Sequence, residues 1–143
     1  MHQVQLDPRA LNGLASCTAI ITGGAGGIGA ATARIYNEHH ANVVIADLPH
    51  FEEEARRLIA SFPHPSKALF IAANILDWEQ MNQLFRKTIH SFGSLDIVVA
   101  NAGIMESNEV LDMDDVDSEG NLRESNEAFK VIDVNIKGTL NSM

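Results

Sequence analysis

Four short apolar runs dictate most of what this chain can become. Residues 18–22, 42–46, 68–72 and 96–100 are each a near-continuous stretch of Ile, Val, Leu, Ala or Phe with no polar alternation. Strands buried on both faces carry this pattern, and parallel sheets covered by helices are where such strands occur. The segments between the runs have helical spacing. From 77 to 92 the apolar residues fall at Met81, Leu84, Phe85, Thr88, Ile89 and Phe92 on one stripe, with Asp77 and Gln80 forming a capping box and Gly93 as the stop. Phe51, Ala55, Leu58, Ile59 and Phe62 make a second stripe, closed by Pro63 and Pro65. Ile28, Ala31, Ile35 and Tyr36 make a third, and Phe129, Ile132, Ile136, Leu140 and Met143 a fourth. Strand and helix in alternation predict βαβ units with right-handed crossovers.

The size suits one domain: 143 residues, 45% hydrophobic and 20% charged. Ten Lys and Arg face nineteen Asp and Glu, for a formal net charge of -9. That balance argues against nucleic acid or an anionic membrane as partner, since both require a basic face. Cys17 is the single cysteine, so no internal disulfide exists and nothing demands an oxidising compartment. Residues 1–9 are polar and read as no secretory signal, and no apolar stretch approaches the roughly 20 residues of a membrane-spanning helix. A soluble, cytoplasmic protein is expected. Residues 106–119 hold seven acids, and no Lys or Arg lies between Lys87 and Arg123, which predicts a long solvated loop after the fourth strand.

The first run enters Thr22-Gly23-Gly24-Ala25-Gly26-Gly27-Ile28-Gly29, five glycines in seven positions from 23 to 29. Strand, glycines, then helix is the context in which such a loop binds a dinucleotide. The glycines allow positive φ and let main chain approach a pyrophosphate. The helix opening near Gly27 aims its free N–H groups and positive dipole end at the phosphates. Asp47 closes the second run, 18 residues after Gly29. An acid there accepts hydrogen bonds from ribose hydroxyls and repels a 2′-phosphate. Neither Leu48-Pro49-His50 nor the loop supplies a fixed positive charge, so NAD is expected over NADP.

At these residues the chain resembles the short-chain dehydrogenase/reductase family. Thr22, Gly23, Gly27 and Gly29 match that family's T-G-x-x-x-G-x-G signature, Asn101-Ala102-Gly103 its N-A-G, and Asn135 the Asn of the helix before its fifth strand. The resemblance implies an incomplete Rossmann-type, doubly wound parallel sheet of order 3-2-1-4, and one NAD(P)-binding domain over residues 1–143. It implies an oxidoreductase interconverting an alcohol and a carbonyl by hydride transfer. Thr22, Gly23, Gly27, Ile28, Gly29, Asp47, Asn74, Ile75, Asn101, Ala102 and Gly103 would contact the cofactor. Asn74 and Ile75 would lie by the adenine, where the family often has Asp in place of Asn74. Asn101 would line the nicotinamide side, and Asn135, with Ile132 and Ile136 beside it facing the core, would support a catalytic water relay.

The family's active Ser and Y-x-x-x-K have no counterpart here. The single tyrosine, Tyr36, lies on the first predicted helix, with His40 where a Lys would be required. The chain therefore reads as a cofactor-binding portion. The alternative is a catalytically inactive dinucleotide-binding module or a truncated fragment. With later strands missing, the fourth strand becomes a sheet edge. Val98 and the Phe129–Ile132–Ile136 stripe then stay partly exposed, so self-association or marginal stability is expected. Two further signals are weak. Residues 115–120 imitate the start of a calcium loop, but position twelve is Asn126 and not Glu. His2, His39, His40, His50, His64 and His90 show no ligand spacing, so no metal site is expected.

Overall fold

The computed structural model describes residues 8–107, 109 and 112–143. Most of the polar N-terminus, His2, and Asn108, Val110 and Leu111 of the acidic stretch lie outside the described residues. Four strands form one sheet of order β3-β2-β1-β4: β1 (Thr18–Thr22), β2 (Asn42–Asp47), β3 (Ala68–Ala72) and β4 (Ile97–Val99). All three pairings are parallel, with Thr22 opposite Ala46, Asp47 opposite Ala72, and Ile21 opposite Val99. The doubly wound parallel sheet and its order are as the sequence predicts.

Alternate residues of the strands serve two cores, the expected result for strands covered on both sides. Ile20, Val44, Ala46 and Ile71 pack with Ala73, Ile75, Met81 and Leu84 under α3 (Trp78–Phe92). Ile21, Val43 and Ile45 pack with Ala33, Ala55 and Phe62 under α1 (Gly27–Glu38) and α2 (Glu52–Ala60). At the head of α3 the Asp77 carboxylate accepts from Gln80 N at 3.0 Å and Gln80 Nε2 at 2.8 Å. Gly93 closes that helix at φ 85°.

Three helix faces differ from the predicted stripes. On α1 the buried residues are Gly29, Ala33 and Asn37, whereas Ile28 is 80% exposed and Ala31 and Ile35 are exposed too. The helix approaches the sheet too closely for large side chains, so small ones face inward. Ile89 of α3 is half exposed, and Met81, Leu84 and Thr88 take the buried face. The third case is the last helix, which runs as α4 (Asn126–Ile132), a π-helical segment (Asp133–Gly138) and a short α5 (Thr139–Asn141). Its inward residues are Val134, Gly138 and Ser142. Ile132 and Ile136 do not face the core: Phe129, Ile132, Ile136 and Leu140 are 51, 48, 57 and 63% exposed. The exposed stripe is as expected, and the core-facing assignment of Ile132 and Ile136 is corrected.

β4 is also shorter than the run that predicts it. Asp96 N still donates to Thr18 O, but the Asp96 carboxylate takes the Thr18 N–H at 2.8 Å and the Ser94 hydroxyl at 2.9 Å. These bonds, the Thr18 N–H foremost, hold the Asp96 carboxyl below its ordinary 3.8. At the other end Asn101 N folds back onto Val99 O. Val116 and Leu122 form an isolated antiparallel bridge within the acidic stretch. Among the described residues no helix is long and apolar enough to cross a membrane.

Candidate dinucleotide site

The carboxyl ends of the four parallel strands bring the sequence-predicted residues to one end of the sheet, the end where ligands of doubly wound sheets bind. Thr22 ends β1. Its hydroxyl accepts from Asn101 N and Ala102 N, each at 3.1 Å, and so ties β1 to the turn after β4. Gly23 follows at φ 63°, and its N–H donates to Ala46 O at 2.8 Å. A Cβ there would lie 2.9 Å from Ala102 Cα, so Gly23 is required for two reasons, the backbone angle and the close approach. Gly29 is needed for packing: a Cβ would strike Gly23 O and lie 2.7 Å from Asn101 Nδ2.

Between these tight positions lies open space. A Cβ on Gly26 or Gly27 would meet nothing within 4 Å. The N-cap of α1 is Gly26, with no side chain capping the helix. The first-turn N–H groups and the positive end of the helix dipole therefore face this opening with no acidic residue in the first turn to answer them. An anion, and a diphosphate in particular, fits that arrangement.

Asp47, Asn101 and Asn135 sit at this end of the sheet, and each is already in use by backbone. Asp47 Oδ2 accepts from Ala25 N at 3.1 Å and Oδ1 from Leu48 N at 2.9 Å, so the acid holds the glycine loop itself. Asn101 Nδ2 donates to Thr22 O at 3.0 Å and Gly23 O at 3.2 Å. Asn135, inside the π segment, accepts from Ile104 N through Oδ1 and donates to Ile104 O through Nδ2, both at 2.8 Å. It clamps the Asn101–Ala102–Gly103 turn to the last helix, and a Cβ on Gly103 would lie 3.1 Å from Asn135 Oδ1. The Asn135 carbonyl also accepts from the Thr139 hydroxyl at 2.8 Å.

On the other flank, Asn74 Oδ1 accepts from Leu76 N, and Asn74 N donates to Gln80 Oε1. Ile75 is buried in the α3-side core. Gln80 is legible as the capping-box partner of Asp77, but its hold on Asn74 N is not; Asn141 and Ile104 escape a sequence reading because their bonds join segments 66 and 31 residues apart. Tyr36 packs into the α1–α2 core, and His40 stacks on His64 with ring centroids 4.3 Å apart. In the acidic stretch the Asp117 carboxylate is taken by Glu119 N and Asn121 N, each at 2.9 Å, which closes a turn. A cavity of about 390 Å³ lined by Asp112, Met113, Leu122, Arg123 and Glu127 lies there, separate from the glycine loop.

The sequence profile of the short chain dehydrogenase family matches residues 17–143. The chain belongs to that family. Among its curated relatives are "Short-chain dehydrogenase reductase 5" of Arabidopsis thaliana, 41% identical over 96 residues, and "Cis-4-hydroxycyclohexanecarboxylate dehydrogenase" of Sinomonas cyclohexanicum, 41% identical over 88 residues. These alignments cover 66% and 62% of this chain but 36% and 34% of the relatives, so the chain spans about a third of their length. A 3-ketoacyl-(acyl-carrier-protein) reductase from Brucella melitensis, solved in complex with NADH, superposes with a TM-score of 0.73 at 28% identity, over 90% of this chain and 48% of that one.

Proposed function

We propose that residues 1–143 form a single dinucleotide-binding domain of a cytoplasmic oxidoreductase, with NAD as its cofactor in preference to NADP and a small alcohol or carbonyl compound as substrate. The observation that carries this reading is the uncapped amino end of α1 behind the open Gly26–Gly27 cradle. A bound nicotinamide ring supplies the exchange of two electrons and a proton with the substrate. The chain's own residues supply the seat. Thr22, Gly23, Gly27, Ile28 and Gly29 surround the diphosphate. Asp47 takes the adenosine ribose with the lone pairs that Ala25 and Leu48 leave open. Asn74 and Ile75 flank the adenine, and Asn101, Ala102, Gly103 and the clamp of Asn135 shape the nicotinamide side.

A binding module without catalysis of its own is the second reading, and two observations favour it. Tyr36 is packed away in the α1–α2 core, and both polar atoms of the Asn135 side chain are engaged by Ile104. Calorimetric titration tests the first reading: NADH binds and NADPH binds more weakly. Asp47→Arg reverses that order while weakening both, because Asp47 also holds Ala25 N. NADPH binding as tight as NADH to the unaltered chain would refute the role given to Asp47.

A further inference from the structure

The adenine flank of the crevice is held by a residue with no place in the signatures of the chain. Asn141, in α5, donates its Nδ2 to the carbonyl oxygen of Ile75 at 2.8 Å, across 66 residues of sequence. Three residues earlier, Gly138 is buried against the same residue: a Cβ there would strike Ile75 Cδ1 and lie 2.7 Å from its Cγ1. The two contacts fix both the main chain and the side chain of Ile75 from one helix. The flanking residues are fixed from other directions. Asn74 N is held by Gln80 Oε1, Gln80 is held in turn by Asp77, and Leu76 N bonds Asn74 Oδ1. The Ile75 carbonyl is the point at which the last helix reaches this turn, and Asn141 is the side chain that reaches it.

The same helix grips the opposite flank through Asn135 and Ile104. One helical stretch, its π segment included, thus spans the loop after β3 and the loop after β4, with a side-chain amide on a backbone carbonyl at each. The geometry points to Asn141 as a positioning residue for the adenine half of the dinucleotide. It sets the height and tilt of Asn74–Ile75 relative to the ends of β2 and β3, and makes adenine affinity depend on how the last helix is seated. This inference rests on the proposed dinucleotide reading. It adds that the two halves of the ligand are supported by separate contacts of one helix and can be weakened separately.

The test compares AMP, reduced nicotinamide mononucleotide and NADH as calorimetric probes of the 143-residue chain and its variants. Asn141→Ala removes the donor and leaves a part-buried carbonyl without its partner. AMP and NADH affinity should fall about fivefold to tenfold, the scale of one lost hydrogen bond that orders the loop. Affinity for the mononucleotide should stay within about twofold. Asn141→Asp, which sets an acceptor against the Ile75 carbonyl, should lower AMP affinity further. Gly138→Ala provides a variant that keeps the hydrogen-bonding side chain and displaces Ile75 by contact, and it should show the same selectivity. Equal loss of both half-ligands, or no loss of AMP, in variants whose melting curves remain cooperative would overturn the role of Asn141. A wild-type chain that binds neither AMP nor NADH would overturn the dinucleotide reading itself, and this one with it.

Discussion

Replacing Gly29 is the sharpest test of how the cradle is built, because two effects of known size oppose each other. Gly29 lies inside α1, where Ala is favoured over Gly by about 1 kcal/mol in helix propensity. Against that gain stands a closed contact. The added Cβ would strike Gly23 O and sit 2.7 Å from Asn101 Nδ2, where ordinary contact begins at 3.4 Å. Neither neighbour can yield freely, since Gly23 N is bonded to Ala46 O and Asn101 Nδ2 to two carbonyls. The amino end of α1 must retreat by about 0.7 Å to clear Asn101 Nδ2, and further to clear Gly23 O. Overpacking of this kind costs about 1–3 kcal/mol. Gly29→Ala should therefore be near neutral to about 2 kcal/mol destabilised, or up to about 8 °C in melting temperature for a domain of this size. Gly29→Val adds two more methyls and forgoes most of the propensity gain. Binding suffers more than folding, because the first-turn N–H groups move with the helix end. Losing one hydrogen bond to a charged phosphate costs about 1.5–3 kcal/mol, or about tenfold to 10²-fold in affinity. Circular dichroism should show native helix content for both variants. NADH affinity should drop about tenfold in Gly29→Ala and be unmeasurable in Gly29→Val. Unchanged NADH affinity in the Val variant would show that the glycine loop is only a turn.

Three further outcomes are expected. The Asp96 carboxyl lies below its ordinary 3.8 in the folded chain because Thr18 N–H and Ser94 bond its charged form, so its contribution is complete above that value and is lost as pH falls through the folded-state value; thermal melts of wild type and Asp96→Asn should separate near neutral pH and converge toward pH 3, and a gap constant across pH would contradict this. The exposed Phe129, Ile132, Ile136 and Leu140 stripe, together with the outer edge of β4, which is unpaired among the described residues, should make the chain self-associate, with light scattering that rises with concentration and falls in an Ile132→Gln, Ile136→Gln double variant; a monodisperse wild-type monomer is the opposing result. The purified 143-residue chain should bind NADH yet oxidise no alcohol and reduce no carbonyl, since its single tyrosine is packed away from the crevice and general acid–base help is worth roughly 10²–10⁴-fold; robust turnover would reveal an acid–base group among these residues.

The strands and the glycine loop are legible in sequence because their causes are local. Residues 42–46 can be nothing but a doubly covered strand, and five glycines between a strand and a helix leave few conformations open. Helix faces are legible only where large apolar residues point inward. On α1 the inward face is Gly29, Ala33 and Asn37, and the conspicuous Ile28 and Ile35 point to water. Periodicity of large residues therefore selects the wrong side of this helix. The same holds on the last helix, where Gly138 and Ser142 lie inside and Ile132 and Ile136 outside. The polar residues were readable as a set but not in their bonding. Asp47 could be placed at a strand end, whereas its hold on Ala25 N requires knowing how the glycine loop folds back. Asn37 is fully buried and bonds both N and O of His64, a backbone-like pairing over 27 residues that no local pattern announces.

The Thr22 hydroxyl joins β1 to Asn101 and Ala102 across 79 and 80 residues of chain. Closing loops that long carries an entropic cost that must be met before any contact rewards it, which makes non-local parallel pairing slow. The glycine loop is therefore not a local turn that preforms while the rest of the chain is still collapsing. Gly23 takes its final place only when the segment after β4 has docked against it, since Ala102 sets one wall of its surroundings. Ligand affinity and global cooperativity become linked through this hydroxyl. A dinucleotide that binds the completed cradle stabilises the whole β1–β4 pairing by mass action. In hydrogen exchange, the amides of Asn101 and Ala102 should slow together with those of β1 when the cradle is filled, as one unit of unfolding.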